Sequence, residues 1–173
     1  CFLVNTRRQN HSRYGRKKIS CKNSSNYLHP KRRYSYLMAL TFQFERNFSP
    51  ILGIIYRPIA QVFFYSKVKD VWREIWMLVD TGADYTLLPK YLSQRLGINL
   101  EKDCKKLLTG GVGGTERVYF LKSIKAKLGG WERNIPIGFL DRDEIPPLMG
   151  RHLFIETFES LFSSNHRITF STK

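Results

Sequence analysis

The chain has 173 residues, enough for one domain with a real core, and its 42% apolar content excludes a wholly disordered polymer. Of its +15 net charge, +10 falls in residues 1–37, which hold ten Lys/Arg and no Asp/Glu, so the remainder is only mildly basic. Three widely spaced cysteines (Cys1, Cys21, Cys104) and four scattered histidines (His11, His29, His152, His166) exclude a disulfide framework and a metal-ligand spacing.

Residues 1–37 show no periodicity and interleave basic side chains with Tyr14, Tyr27, Tyr34 and Tyr36. They read as a disordered basic arm. Its charge suits a nucleic-acid or acidic-membrane contact; the alternatives are a solvated tail or an untranslated upstream segment. The arm lacks the apolar core of a signal peptide, although its Arg- and Ser-rich, acid-free composition is also that of an organelle transit peptide. Because the chain begins with Cys1 and its first methionine is Met38, the sequence is expected to start upstream of the true start or to be a fragment. No apolar run approaches the roughly 20 residues of a membrane span. The free thiols favour a reducing compartment, hence a cytoplasmic location.

Residues 38–50 are expected to be a linker and 51–173 the folded domain. Ile51–Tyr56 and Ile59–Tyr65 are β-branched and aromatic runs punctuated by Pro58. Lys67–Asp70 is a polar turn, and Trp72–Val79 returns as a strand with Trp72, Ile75, Met77 and Val79 as core candidates. Leu88, Leu92 and Leu96 repeat every four residues, with Pro89 at a first helical position and Gly97 as a stop. Glu101–Lys106 is a charged loop. Gly110, Gly111, Gly113 and Gly114 surround Val112 at a hairpin tip, and Thr115–Leu121 and Ile124–Leu128 alternate. Gly129-Gly130 turns the chain into Ile135–Phe139, which Pro136 marks as an edge strand. Asp141–Glu144 is an acidic loop, His152–Glu156 a short helix, and Phe158–Phe162 with Arg167–Phe170 a closing hairpin. Many short strands, glycine turns and two short helices predict an all-β, barrel-like domain.

The chemistry concentrates at Met77-Leu78-Val79-Asp80-Thr81-Gly82-Ala83-Asp84. A buried strand delivers Asp80 to its tip, where a poorly solvated carboxylate must be ionised at some cost, share a proton or be paired. Gly82 permits a sharp turn beside it, and the Thr81 hydroxyl can orient a neighbour. Taken alone, this is also an ordinary turn between strands.

Three segments occur in order: Asp80-Thr81-Gly82-Ala83-Asp84, Gly110-Gly111-Val112-Gly113-Gly114 and Leu148-Met149-Gly150-Arg151. Their combination resembles the retropepsin-like aspartic proteases over roughly residues 51–170. The resemblance implies a closed β-barrel of the acid protease fold and an aspartic endopeptidase acting on peptides or proteins, with no cofactor or metal. With one Asp-Thr-Gly per chain, it also implies a homodimer in which Asp80 of each copy forms the catalytic dyad. On the same resemblance, Thr81 bonds across the dimer, Gly82 lets substrate approach, and Ala83 and Asp84 contact substrate. Asp84 also pairs with Arg151 of the Gly150-Arg151 brace. Gly111, Val112 and Gly113 form the flap over the peptide, and Leu148 walls the cleft while Met149 is core. A catalytically inactive dimerisation or peptide-binding module of the same fold is the alternative. Tyr85 and the extra closing hairpin depart from the viral pattern, and the chain looks closer to the bacterial members.

Overall fold

The structure, a computed structural model, describes residues 2–3, 38–111 and 114–172. The basic arm and its expected contacts therefore lie outside the described residues, Phe2 and Leu3 apart. In chain order the strands are β1 (Phe2–Leu3), β2 (Met38–Gln43), β3 (Glu45–Ser49), β4 (Gly53–Arg57), β5 (Ile59–Ser66), β6 (Val71–Val79) and β7 (Thr86–Pro89). Two short helices follow, α1 (Leu92–Leu96) and α2 (Leu100–Asp103). The chain continues with β8 (Lys105–Gly111), β9 (Gly114–Leu128), β10 (Trp131–Leu140), β11 (Leu148–Met149), a 3-10 turn (Ile155–Thr157), β12 (Glu159–Ser163) and β13 (Arg167–Thr172).

The strict alternation of β5 buries Ala60, Val62, Phe64 and Ser66 and leaves the residues between them half-exposed. β5 pairs antiparallel with β6 through eight residues, Ile59 opposite Leu78 to Ser66 opposite Val71. On its other edge Phe63 and Phe64 pair with Lys127 and Ala126 of β9, which closes the sheet order β9-β10-β7-β11-β6-β5 into a ring. The ring is the predicted closed all-β fold. Phe64, Met77, Leu88, Leu92, Ile137, Phe139 and Met149 fill it. Of the candidate core positions on β6, Ile75, Met77 and Val79 are buried, whereas Trp72 is only partly so.

Gly97 ends α1 as expected, at φ +70°. Its N–H reaches the Gln94 carbonyl and the Ile98 N–H reaches that of Ser93. Several expectations shift. Pro89 ends β7 opposite Leu140 and the helix begins at Leu92, because the parallel ladder with β10 runs to Pro89. Glu101–Asp103 lies in α2, capped by the Asn99 side chain accepting from the Glu101 and Lys102 N–H groups. β10 is not an edge strand: β9 and β7 flank it. Its register against β9 shifts between Ile135 and Ile137, and this bulge absorbs the N–H that Pro136 lacks. The helix expected at His152–Glu156 is a turn followed by the 3-10 segment.

Residues 38–50, expected as a linker, form β2 and β3. Leu40–Gln43 alternates apolar and polar side chains, and β2 adds to the closing hairpin in the order β12-β13-β2. Leu40 and Phe42 then turn toward the core, with Phe42 edge-on to both Trp76 and Phe170. β3 and β4 form a separate two-stranded hairpin.

Candidate functional site

β6 buries Ile75, Met77 and Val79 on alternate positions, and Asp80 follows as a half-exposed residue at its end. The Gly82 N–H donates to Asp80 Oδ1 at 2.9 Å, which fixes the carboxylate. The Ala83 N–H closes the turn on the Asp80 carbonyl at 3.2 Å. Thr81 is exposed, and Ala83 is fully buried beneath the loop.

A crossing of backbones holds this loop. β11, only two residues long, lies between β6 and β7, parallel to one and antiparallel to the other. The Leu78 N–H donates to the Pro147 carbonyl at 2.8 Å and the Asp80 N–H to that of Met149 at 3.0 Å. On the far side of the loop, Arg151 N–H reaches the Ala83 carbonyl at 2.9 Å and His152 N–H that of Asp84 at 2.7 Å. Gly150 sits at the crossing, where a Cβ would stand 2.1 Å from the Tyr85 carbonyl carbon and 2.6 Å from the Thr86 nitrogen. Only glycine permits so close an approach. Arg151 Nη2 then donates to Asp84 Oδ1 at 2.7 Å. Both ends of that pair reach solvent, so it braces the loop more than it stabilises the fold. From the other direction, the Val79 N–H bonds the Pro58 carbonyl at 2.8 Å.

Asp80, Thr81, Gly82, Ala83, Asp84, Gly150 and Arg151 are thus brought together by direct bonds or adjacency. Leu148 is 93% buried, packed with Leu87, Val118 and Leu140 rather than lining open space. The hairpin expected to serve as the flap is formed by β8 and β9, paired from Lys105–Phe120 out to Gly111–Gly114. Val112 and Gly113 lie outside the described residues. β1 pairs with the free edge of β8, Phe2 opposite Gly111, so this edge accepts an extended strand.

Tyr85 has a role that sequence reading missed. Its ring packs edge-on against Phe120 and its hydroxyl shares a hydrogen bond with buried Thr109 on β8. Burial pushes its phenol up from the ordinary value, the Thr109 bond opposes that, and the Asp84 charge adds to it. Tyr85 therefore ties the Asp80 loop to the β8–β9 hairpin. The only signal in the sequence was an aromatic residue directly after the motif.

Two recesses flank the loop. One, of about 500 Å³, is lined by Asp84, Tyr85, Phe120, Lys122, Pro136, His152 and Leu153. The other, of about 440 Å³, is lined by Glu45, Arg57, Ile59, Trp76, Leu78 and Pro146. Neither includes Asp80. Among the described residues no group of three or more His, Cys, Asp or Glu side chains is placed to hold a metal ion, and no helix is long and apolar enough to cross a membrane.

A family model described as aspartyl protease matches residues 66–153. Among solved structures, a retropepsin-like aspartic protease from Rickettsia conorii is similar at a TM-score of 0.52 and 21% identity, covering 78% of this chain and 92% of its own. That likeness is one of fold. No curated protein matches the chain.

Proposed function

The chain belongs to the aspartyl protease family, and on that premise we propose that it is an endopeptidase whose dyad is two copies of Asp80 meeting across a homodimer. The observation that carries this reading is the Asp80 loop itself. A half-exposed carboxylate is held by the Gly82 N–H at a strand end, next to an exposed Thr81 and a backbone brace through Gly150. Asp84, the nearest carboxylate in sequence, is engaged by Arg151, so the second acid comes from another copy.

Two carboxylates about 3 Å apart do not both ionise and share one proton, the established behaviour of aspartic proteases. The ionised member takes a proton from a water as that water adds to the peptide carbon. The protonated member donates to the carbonyl oxygen. Return of a proton to the amide nitrogen lets the C–N bond break, with no covalent enzyme intermediate. Substrate lies extended against the flap as an added strand, the mode in which β1 pairs with the edge of β8.

The test is a peptide-library digest read by mass spectrometry, with wild type and Asp80→Asn compared. Cleavage by wild type and its loss in a folded Asp80→Asn variant are expected. Undiminished turnover by that variant refutes the assignment.

A further inference from the structure

The β3–β4 hairpin carries the least-covered apolar surface of the described residues. Ile51 is 92% exposed, Phe48 76%, Leu52 73% and Ile54 51%. Phe48 and Ile54 are direct cross-strand partners on one face, and Ile51 and Leu52 form the tip. A contiguous apolar patch of this kind marks an interaction surface rather than a random exposure.

We propose that this hairpin is an arm that packs on a second copy of the chain, and that each tip seats in the other copy's recess lined by Ile59, Trp76, Leu78 and Pro146. The inference rests on the dimeric reading above and names the surface that makes the dimer.

The dyad reading and two observations select a second copy as the occupant. First, on that reading the active site is half a site, so a copy must come to the Asp80 end of the ring. Second, the hairpin springs from that end. Its last strand leads into Pro58, whose carbonyl accepts the Val79 N–H one residue before Asp80. At the same base, Tyr56 stacks on His166 of the closing hairpin with ring centroids 3.8 Å apart, which fixes the arm's exit. Third, the recess adjoins the base of the same arm, since Glu45 and Arg57 form part of its wall. Two such arms running antiparallel about a two-fold axis place each tip over the other's base. A five-residue strand reaches about 17 Å, which sets the offset between base and tip. The recess, about 440 Å³ with the half-exposed Trp76 in its wall, has room for the Ile51 and Leu52 side chains.

The test uses the full chain in sedimentation velocity over a concentration series, with peptide cleavage measured on the same samples. Ile51→Ser/Leu52→Ser changes only exposed residues and is expected to keep the wild-type circular dichroism. It should raise the dimer dissociation constant about 100-fold or more and lower cleavage in parallel. Trp76→Ala should weaken the dimer in the same direction and add little to the double substitution. Asp80→Asn should stay dimeric while inactive. A dimer unchanged by the tip substitutions, with wild type dimeric, overturns the arm and leaves the dyad reading standing. A wild type that is monomeric yet cleaves through Asp80 overturns both. Val68→Ser, at an exposed turn at the opposite end of β5 and β6, must leave the dimer intact; equal weakening there overturns the assignment. So does an intact dimer whose tip variant instead loses binding to phospholipid vesicles.

Discussion

Gly150→Ala tests the crossing that holds Asp80. The added Cβ would lie 2.1 Å and 2.3 Å from the Tyr85 carbonyl carbon and oxygen and 2.6 Å from the Thr86 nitrogen. Carbon contacts are at rest near 3.5–4.0 Å, so the two backbones must part by on the order of 1 Å. No side chain can swing aside, because every atom met is backbone. Separation strains the bonds from Asp80 N–H to Met149, Arg151 N–H to Ala83 and His152 N–H to Asp84. At about 1 kcal/mol each, with the steric strain added, the loss is about 4 kcal/mol or more. Gly138→Ala is the matched comparison. There the new Cβ meets Val118 Cγ1 at 2.6 Å, and Leu87 Cδ2 and Tyr85 Cε2 at 2.9 Å. Those are side-chain atoms, so repacking holds the loss to about 1–2 kcal/mol. Urea unfolding at one fixed protomer concentration measures both, which keeps any contribution from association equal. Equal losses, or a Gly150→Ala variant within about 1 kcal/mol of wild type, refute the argument that backbone proximity governs this site.

Three further outcomes are expected. Tyr85→Phe removes the bond to Thr109 and leaves that buried hydroxyl without its partner, for about 1–2 kcal/mol; hydrogen exchange over residues 105–111 should quicken, and unchanged exchange refutes the link between loop and flap. Arg151→Ala breaks an ion pair open to solvent, so stability falls by no more than about 1 kcal/mol while cleavage falls more; a large stability loss with normal cleavage reverses that ranking. Cys104 has its thiol pushed up to about 11, by burial first and then by the Asp103 charge. At pH 8 only about one thiol in a thousand is ionised, against about one in four for a free thiol, so Cys104 should react far more slowly with iodoacetamide than a cysteine peptide does. Its rate should still be rising with pH at pH 9–10, and a plateau there refutes the raised value.

The β5–β6 hairpin, the position of Asp80 at its end, the Gly97 stop and the closing β12–β13 hairpin were legible because local signals decide them. Alternation, turn residues and a glycine at a helix end all act within a few residues. The Asp84–Arg151 pair was legible only through the order of three motifs, since 67 positions separate its members. What escaped was decided at long range. Leu40–Gln43 has the alternation of a strand, but its partner is β13, more than a hundred residues on. Pro136 signals a missing donor, and nothing local says whether an edge or a bulge accommodates it. In the sequence Tyr85 stands only as a departure from a pattern, because its partners Thr109 and Phe120 come from β8 and β9.

The two-residue strand β11 also sets a timetable. Asp80 takes its backbone partner from Met149, and its loop is closed by Arg151 and His152. On a ribosome adding about 5–20 residues per second, the roughly 70 residues between them take about 4–14 s to make. Until they emerge, the Asp80 loop lacks half its frame. The Asp80 loop of the nascent chain therefore stays unbraced until the segment around Gly150 has been made.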